Sequence, residues 1–369
     1  MIHPKKLVKI LDKNKIEFFS GVPDSVLKYL TPYFGKQKNK HYVTPNEGSA
    51  IALAAGYYLA TKKIPCVYLQ NSGLGNSINP LSSITHEDVY AIPMLLLIGW
   101  RGSPNQKDEP QHKVKGKITK KLLELLNIKC CSISKDKDLK KLSTLINYSK
   151  KNNKTVACLI ENRSLLNDTQ HLKINNLNLN LRRAYVIQKI LSSIKTKTNI
   201  IATTGFTSRE LMEIEKKNHN NKINSFYMVG GMGHASLLSL GVSLNSSKNV
   251  CCLDGDGSLL MHMGSMASIG FFAKKNFKHI LFNNNSHESV GGQPTNAIKL
   301  NFKELSKGFG YKKYFLIKNK SELTKVLKNF LSARGPVFLE ILINQGSLKN
   351  LMRPKDLIMI KKKFMRHIK

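Results

Sequence analysis

Hydrophobic and polar positions alternate in blocks along the chain. Stretches with helical spacing are followed by short, wholly apolar runs that end in small or polar residues. "LVKILDKNKI" predicts a helix and "EFFSGVP" a strand entering a turn; "GSAIALAAGYYLATKK" is helical and rich in small residues. "PCVYLQ" and "IPMLLLIGW" read as strands with the helical "NPLSSITHEDVYA" between them, and "TVACLIEN" reads as a further strand. After residue 183 the rhythm restarts. "AYVIQKILSSI", "HASLLSLGVSLN", "LLMHMGSMASIGFFAKKN" and "KSELTKVLKNFLSA" alternate with the strands "NIIATTG", "NVCCLDGDG", "KHILFNNN" and "PVFLEILIN". Continuous apolar strands separated by helices predict parallel sheets covered on both faces. The expected fold class is α/β, with two doubly wound parallel-sheet domains. Residues 1–165 form the first domain, the polar, Asn-rich residues 166–182 a linker, and residues 183–369 the second domain, with no domain between them. The closing "DLIMIKKKFMRHIK" predicts a basic helix.

Composition adds little to this division. With 369 residues, 41% of them hydrophobic, the chain can build two cores. No apolar run reaches bilayer length and no signal-peptide core follows the Lys-rich start, so a cytoplasmic protein without membrane partners is expected. The six cysteines lie in strand-like runs without metal-binding spacing and read as buried, reduced thiols. The formal charge of +36 raises nucleic-acid binding as a different class of function. Lysines are spread over the whole chain, however, with no aromatic-interleaved basic stripe, so no nucleic-acid partner is expected. A field of this sign would still favour small anionic substrates.

The candidate chemistry centres on "CCLDGDGSLLMHMG". Gly255 and Gly257 let the chain turn sharply after a buried strand, and the helix that follows favours an anion at its start. Asp256 would repel a bare phosphate unless a divalent cation lay between them. The next strand ends in Asn283, Asn284 and Asn285. Adjacent strand ends in such sheets bind ligands, and carboxylate, amide and carbonyl oxygens suit Mg²⁺ or Ca²⁺. The pattern predicts a metal-bridged diphosphate.

Gly-Asp-Gly, 25 residues (258–282) and then Asn-Asn resembles the signature of the thiamine diphosphate-dependent enzymes. The resemblance implies thiamine diphosphate and Mg²⁺ as cofactors, with the metal held by Asp256, Asn284 and the carbonyl of Ser286. The triple Asn leaves Asn283 open as the alternative ligand. It also implies a pyrimidine-binding first domain and a diphosphate-binding second domain. Glu47, at the start of "EGSAIALAAGYYLA", is the matching acid for the aminopyrimidine ring, assisting proton loss from the thiazolium C2. Burial would raise its pKa to suit that exchange. Further cofactor contacts carried over are Ser72 and Gly73 in "NSGLG", Thr204 and Gly205 in "TTGFTSREL", Gly231 and Met232 in "VGGMGHA", and Ser258 beside Gly-Asp-Gly.

"FFSGVPDSVLKYL", "RGSPNQKDEPQH" and "NNNSHESVGGQPT", with the absent middle domain, are similar to the phosphonopyruvate decarboxylases. Sulfopyruvate decarboxylases share the layout, often split into two subunits, so sulfopyruvate or another short 2-oxo acid remains the alternative substrate. The resemblance implies loss of CO₂ from 3-phosphonopyruvate, a small 2-oxo acid bearing a phosphonate, in phosphonate biosynthesis. Asp24, His112 and His287 are the candidate catalytic residues besides Glu47. Ser25, Arg101, Lys107, Gln111 and His112 are the candidate substrate contacts. The family's sites, shared between subunits, imply a homodimer or higher oligomer.

Overall fold

The computed structural model describes residues 1–34, 40–104, 106, 108–167, 180–217 and 220–368. Of the sequence expectations, Lys107 and most of the 166–182 linker lie outside the described residues. The chain divides into two compact units. One comprises Met1–Lys173 with Val290–Gln293, the other Ile174–Ser289 with Pro294–Lys369.

The first unit holds strands β1 (Phe18–Gly21), β2 (Lys40–Val43), β3 (Cys66–Gln70), β4 (Leu95–Trp100), β5 (Lys129–Ile133) and β6 (Val156–Glu161). They form one parallel sheet in the order β2-β1-β3-β4-β6-β5. The second unit holds β7 (Thr198–Ala202), β8 (Ile223–Tyr227), β9 (Asn249–Gly255), β10 (Phe277–Asn283), β11 (Lys313–Ile317) and β12 (Val337–Leu342). Its sheet, also parallel throughout, runs β8-β7-β9-β10-β12-β11. Numbered within its own unit, each sheet has the same order, so the two units share one topology.

Alternation along the central strands explains the two cores of each unit. In β4, Leu95 and Leu97 join the core on one face, while Leu96, Ile98 and Trp100 join the core on the other. In β9, Cys251 and Leu253 face one core, and Val250 and Cys252 face the other. Helices cover both faces, as a parallel sheet requires.

Helix 47–61 begins where Asn46 Oδ1 accepts the Gly48 N–H at 2.8 Å, and it buries Ala50, Ile51, Ala54 and Ala55. The small side chains let the helix lie close on the sheet. The helix expected after Gly-Asp-Gly is two helices, Asp256–Met261 and Ser265–Phe272, interrupted at 262–264. The expected "NPLSSITHEDVYA" helix ends early: helix 74–80 runs into a wider turn over 81–85, and the remainder is irregular. The basic terminal helix spans Leu357–Arg366. No helix among the described residues is long and apolar enough to cross a membrane. All six cysteines are free; Cys130 and Cys131 are half-buried and the other four buried.

Candidate active site

In each unit the candidate residues follow the first four strands at their carboxyl ends, where the strand order reverses and open α/β sheets bind ligands. In the first unit Asp24 and Ser25 follow β1, Glu47 follows β2, Ser72 and Gly73 follow β3, and Arg101 to His112 follow β4. In the second, Thr204 and Gly205 follow β7, Gly231 and Met232 follow β8, Asp256 follows β9, and Asn284 to His287 follow β10.

Glu47 is buried at the first turn of its helix, where the helix dipole favours an acid. Burial raises its pKa, opposed chiefly by the Asn76 Nδ2 hydrogen bond to Oε2 at 2.8 Å. A Cβ on Gly73 would stand 2.0 Å from Glu47 Oε1, so the absence of a side chain there makes room for the acid. Ser72 Oγ accepts from Gln70 Nε2 at 2.7 Å.

Asp24 is also buried, and burial pushes its pKa up to about 6. Its Oδ2 accepts the Leu27 N–H at 3.0 Å, whereas Oδ1 has no hydrogen-bond partner among the described residues. A Cβ on Gly99 would lie 1.9 Å from Oδ2, so this acid too is seated against a glycine. Ser103 Oγ, Gln111 Oε1 and His112 Nδ1 are likewise buried without a partner among the described residues. Burial lowers the His112 pKa to about 4, so its ring is neutral at physiological pH. Buried polar atoms are normally satisfied, and four open ones, on the loops after β1 and β4 and at the start of helix 110–125, mark a place for a polar ligand.

Arg101, a candidate substrate contact, is already engaged within the chain. Its Nε donates to Asp108 Oδ2 at 2.7 Å, Nη2 pairs with Oδ1 of the same carboxylate, and Nη1 donates to Ser25 Oγ at 3.2 Å. Asp108 also accepts the Gly102 N–H at 2.8 Å. The guanidinium braces the β4 loop, and its charge is largely offset by its partner.

In the second unit Asp256 is buried, and burial raises its pKa to about 6. Thr295 Oγ1 donates to Asp256 Oδ2 at 2.6 Å, and the Thr295 N–H donates to Asn285 O at 3.0 Å. One residue thus ties the acid to the loop after β10. The register sets Gly255 beside Phe282, which brings Asp256 to the strand end carrying the asparagines. Asn283 is engaged inside the sheet, its Nδ2 donating to Glu340 Oε1 at 2.8 Å. Asn284 Oδ1 accepts only the nearby Ser286 N–H at 3.1 Å, and Nδ2 donates to Glu288 Oε2 at 3.0 Å. Asn283 Oδ1 likewise accepts the N–H two residues on, from Asn285 at 3.2 Å, so the hydrogen bonds treat the two amides alike. Asn285 Oδ1 and Ser286 Oγ are buried without partners among the described residues.

Around this point Gly205, Gly230, Gly231 and Gly233 all have positive φ, a backbone suited to close approach of a ligand. Thr204 Oγ1 accepts the Gly230 N–H at 3.0 Å. Ser258 Oγ meets Thr203 Oγ1 at 2.8 Å and accepts the Gly233 N–H at 3.2 Å, joining three segments. Met232 is half-buried before helix 235–244. His287 is buried with its pKa lowered to about 4 by burial, and a Cβ on Gly257 would stand 2.8 Å from its ring. Beneath the turn, Asp254 Oδ1 accepts the Gly255 N–H at 2.9 Å; Asp254 Oδ2 is 3.5 Å from His279 Nε2, and His279 Nδ1 is 2.8 Å from Tyr311 OH.

The donors fit the groups the sequence implies. Carboxylate, amide and carbonyl oxygens at neighbouring strand ends suit Mg²⁺, and the glycine turns leave room for a diphosphate. Thr295, Asn76 and Asp108 escaped sequence reasoning because no spacing rule joins them to their partners.

The fold and these half-sites define a thiamine diphosphate-dependent enzyme. Residues 4–123 match the thiamine pyrophosphate enzyme N-terminal TPP binding domain, and residues 203–341 match the C-terminal TPP binding domain. The chain is 31% identical to phosphonopyruvate decarboxylase of Streptomyces viridochromogenes, covering 96% of this chain and 92% of the relative. It is 30% identical to the phosphonopyruvate decarboxylase of Streptomyces hygroscopicus, covering 91% and 86%. The sulfopyruvate decarboxylase of Methanosarcina acetivorans is 24% identical over 94% of this chain and 93% of its own. The chain belongs to the phosphonopyruvate decarboxylase family of thiamine diphosphate-dependent decarboxylases.

Proposed function

We propose that this decarboxylase converts 3-phosphonopyruvate to phosphonoacetaldehyde and CO₂, as a step in phosphonate biosynthesis. The reading is carried by Glu47, a buried acid of raised pKa at the strand end expected to meet the pyrimidine, in a chain similar to phosphonopyruvate decarboxylases along nearly its whole length. Sulfopyruvate is the second reading. The Methanosarcina acetivorans relative covers both units, so a single fused chain does not itself separate the two substrates.

Asp256, Asn284 and the Ser286 carbonyl would hold Mg²⁺, and the turns at Thr204–Gly205, Gly231–Met232 and Gly255–Ser258 would receive the diphosphate, with Ser72 and Gly73 beside Glu47. Bound there, thiamine diphosphate supplies the electron sink that a 2-oxo acid lacks when CO₂ leaves. Glu47 exchanges a proton with the pyrimidine, a role its raised pKa suits. Decarboxylation to an aldehyde consumes one proton, R–CO–COO⁻ + H⁺ → R–CHO + CO₂, so the protein must deliver one. Asp24, with a pKa of about 6 and an open oxygen, is the acid placed for that delivery. His112 and His287 are neutral and act as hydrogen-bond partners rather than as standing cations. Ser25, Gln111 and His112 contact the substrate, while Arg101 with Asp108 shapes the loop that holds them; Lys107 is the remaining candidate for the phosphonate. The enzyme is proposed to act in the cytoplasm as a homodimer or higher oligomer.

The test is incubation of purified protein with thiamine diphosphate, Mg²⁺ and either phosphonopyruvate or sulfopyruvate, measuring CO₂ and aldehyde. Turnover of phosphonopyruvate at least tenfold faster is expected. Preference for sulfopyruvate, or turnover of neither by protein that binds the cofactor, overturns the substrate assignment.

A further inference from the structure

An asparagine that ligates a hard cation must present its oxygen and turn its nitrogen away. The two ends of the amide are nearly the same size, so a neighbour has to choose between them. Here the Ser286 N–H marks the oxygen end, at 3.1 Å, and Glu288 holds the nitrogen end. Asn284 Nδ2 donates to Glu288 Oε2 at 3.0 Å, and an ionised carboxylate accepts only, so the amide oxygen is directed to the other side.

Glu288 is itself fixed. Its Oε2 accepts Arg183 Nη2 at 2.7 Å, and its Oε1 accepts the Gly346 N–H. Arg183 Nε donates to Glu210 Oε2 at 3.0 Å, and Glu210 Oε1 accepts the Leu348 N–H at 2.9 Å. The Arg183 and Glu210 side chains are 7% and 1% exposed. Buried ion pairs repay little or none of their desolvation cost as stabilising devices, yet they lock geometry well. This chain of contacts ends on Asn284 and carries two carboxylates to one guanidinium, a balance that favours a cation nearby.

We propose that Glu288, held by Arg183 and Glu210, is a positioning residue that fixes the Asn284 amide with its oxygen toward the divalent cation. The inference rests on the reading of Asn284 as a metal ligand. Partners of this kind, one step behind the ligands, typically change metal affinity 10–100-fold.

The experiment uses the full chain with thiamine diphosphate and reads free Mn²⁺ by electron paramagnetic resonance, independently of turnover. Glu288→Ala is expected to weaken Mn²⁺ binding by about 10–100-fold in protein that still folds. Glu288→Gln, whose carbonyl can still accept from Asn284, is expected to recover most of the loss. Wild-type Mn²⁺ affinity in folded Glu288→Ala overturns the proposal. If that variant does not fold, Glu288→Gln decides: a small, measurable weakening supports the role, and wild-type affinity overturns it. Asn284→Ala separates the two failures. If it binds Mn²⁺ like wild type, the ligand reading itself falls; if it alone weakens binding, only the positioning role falls.

Discussion

Thr295 Oγ1 donates a 2.6 Å hydrogen bond to Asp256 Oδ2, across 39 residues of sequence. The same residue holds Asn285 O through its backbone N–H, so the acid and the asparagine loop are set by one side chain and one amide. Thr295→Val keeps the shape and removes the donor. Binding of thiamine diphosphate with Mg²⁺, followed by calorimetry, is expected to weaken about tenfold, the usual order for a lost hydrogen bond to a charged group. Thr295→Ser is expected to stay within about threefold of wild type on the same scale. Equal affinity in the Val variant would remove Thr295 from the metal site.

Glu47→Gln preserves size and the contact with Asn76 while removing the exchangeable proton. Turnover is expected to fall by about 10²–10⁴, the range for loss of a general acid–base group. Cofactor binding by calorimetry should change far less. Full turnover in this variant would sink the mechanism.

Asp24 makes stability depend on pH in a defined direction. Its folded pKa of about 6 lies above the ordinary 3.8, so between these values the folded chain keeps a proton that the unfolded chain releases. Stability therefore declines as pH rises from about 4 to about 6, and the deficit, roughly 3 kcal/mol at most, persists at higher pH. Asp24→Asn is expected to melt a few degrees above wild type at pH 7.5, with the difference shrinking toward pH 4, while losing most activity. Thermal melts across that range check it; a pH-independent difference would contradict the raised carboxyl.

Chelation gives a fourth test. Dialysis against EDTA should strip the divalent cation, abolish retention of thiamine diphosphate and leave the far-ultraviolet circular dichroism unchanged. Mg²⁺ or Mn²⁺ should restore binding, both suiting oxygen donors. Cofactor retained at wild-type affinity without a divalent cation would remove the metal bridge.

The sequence pattern revealed eight strands, and the four it missed have one thing in common. β2, β5, β8 and β11 are the edges of their sheets. An edge strand is covered on fewer sides, so "KHYV", "KCCSI", "INSFY" and "KYFLI" mix polar and apolar residues and are largely half-buried or exposed. The central strands announce themselves because both faces are buried. The site was legible in the same uneven way. Gly-Asp-Gly and the asparagines stand at the ends of the paired strands β9 and β10, one strand–helix–strand unit apart in sequence, and Glu47 stands out as an acid before a small-residue helix. Nothing in the spacing around Arg101 reveals that Asp108, seven residues on, folds back to pair with it. The Arg183–Glu210–Glu288 network was hidden for the same reason, its members being scattered over 106 positions of chain (183–288).

Glu47, Asp24 and His287 each rest against a glycine: Gly73, Gly99 and Gly257 respectively. A single methyl group at any of these places would displace the functional side chain while leaving every ionisable residue of the site in the sequence. A chain that kept these side chains but replaced one of the glycines would have to move the side chain it faces. Three positions without an ionisable group thus set where the ionisable ones stand.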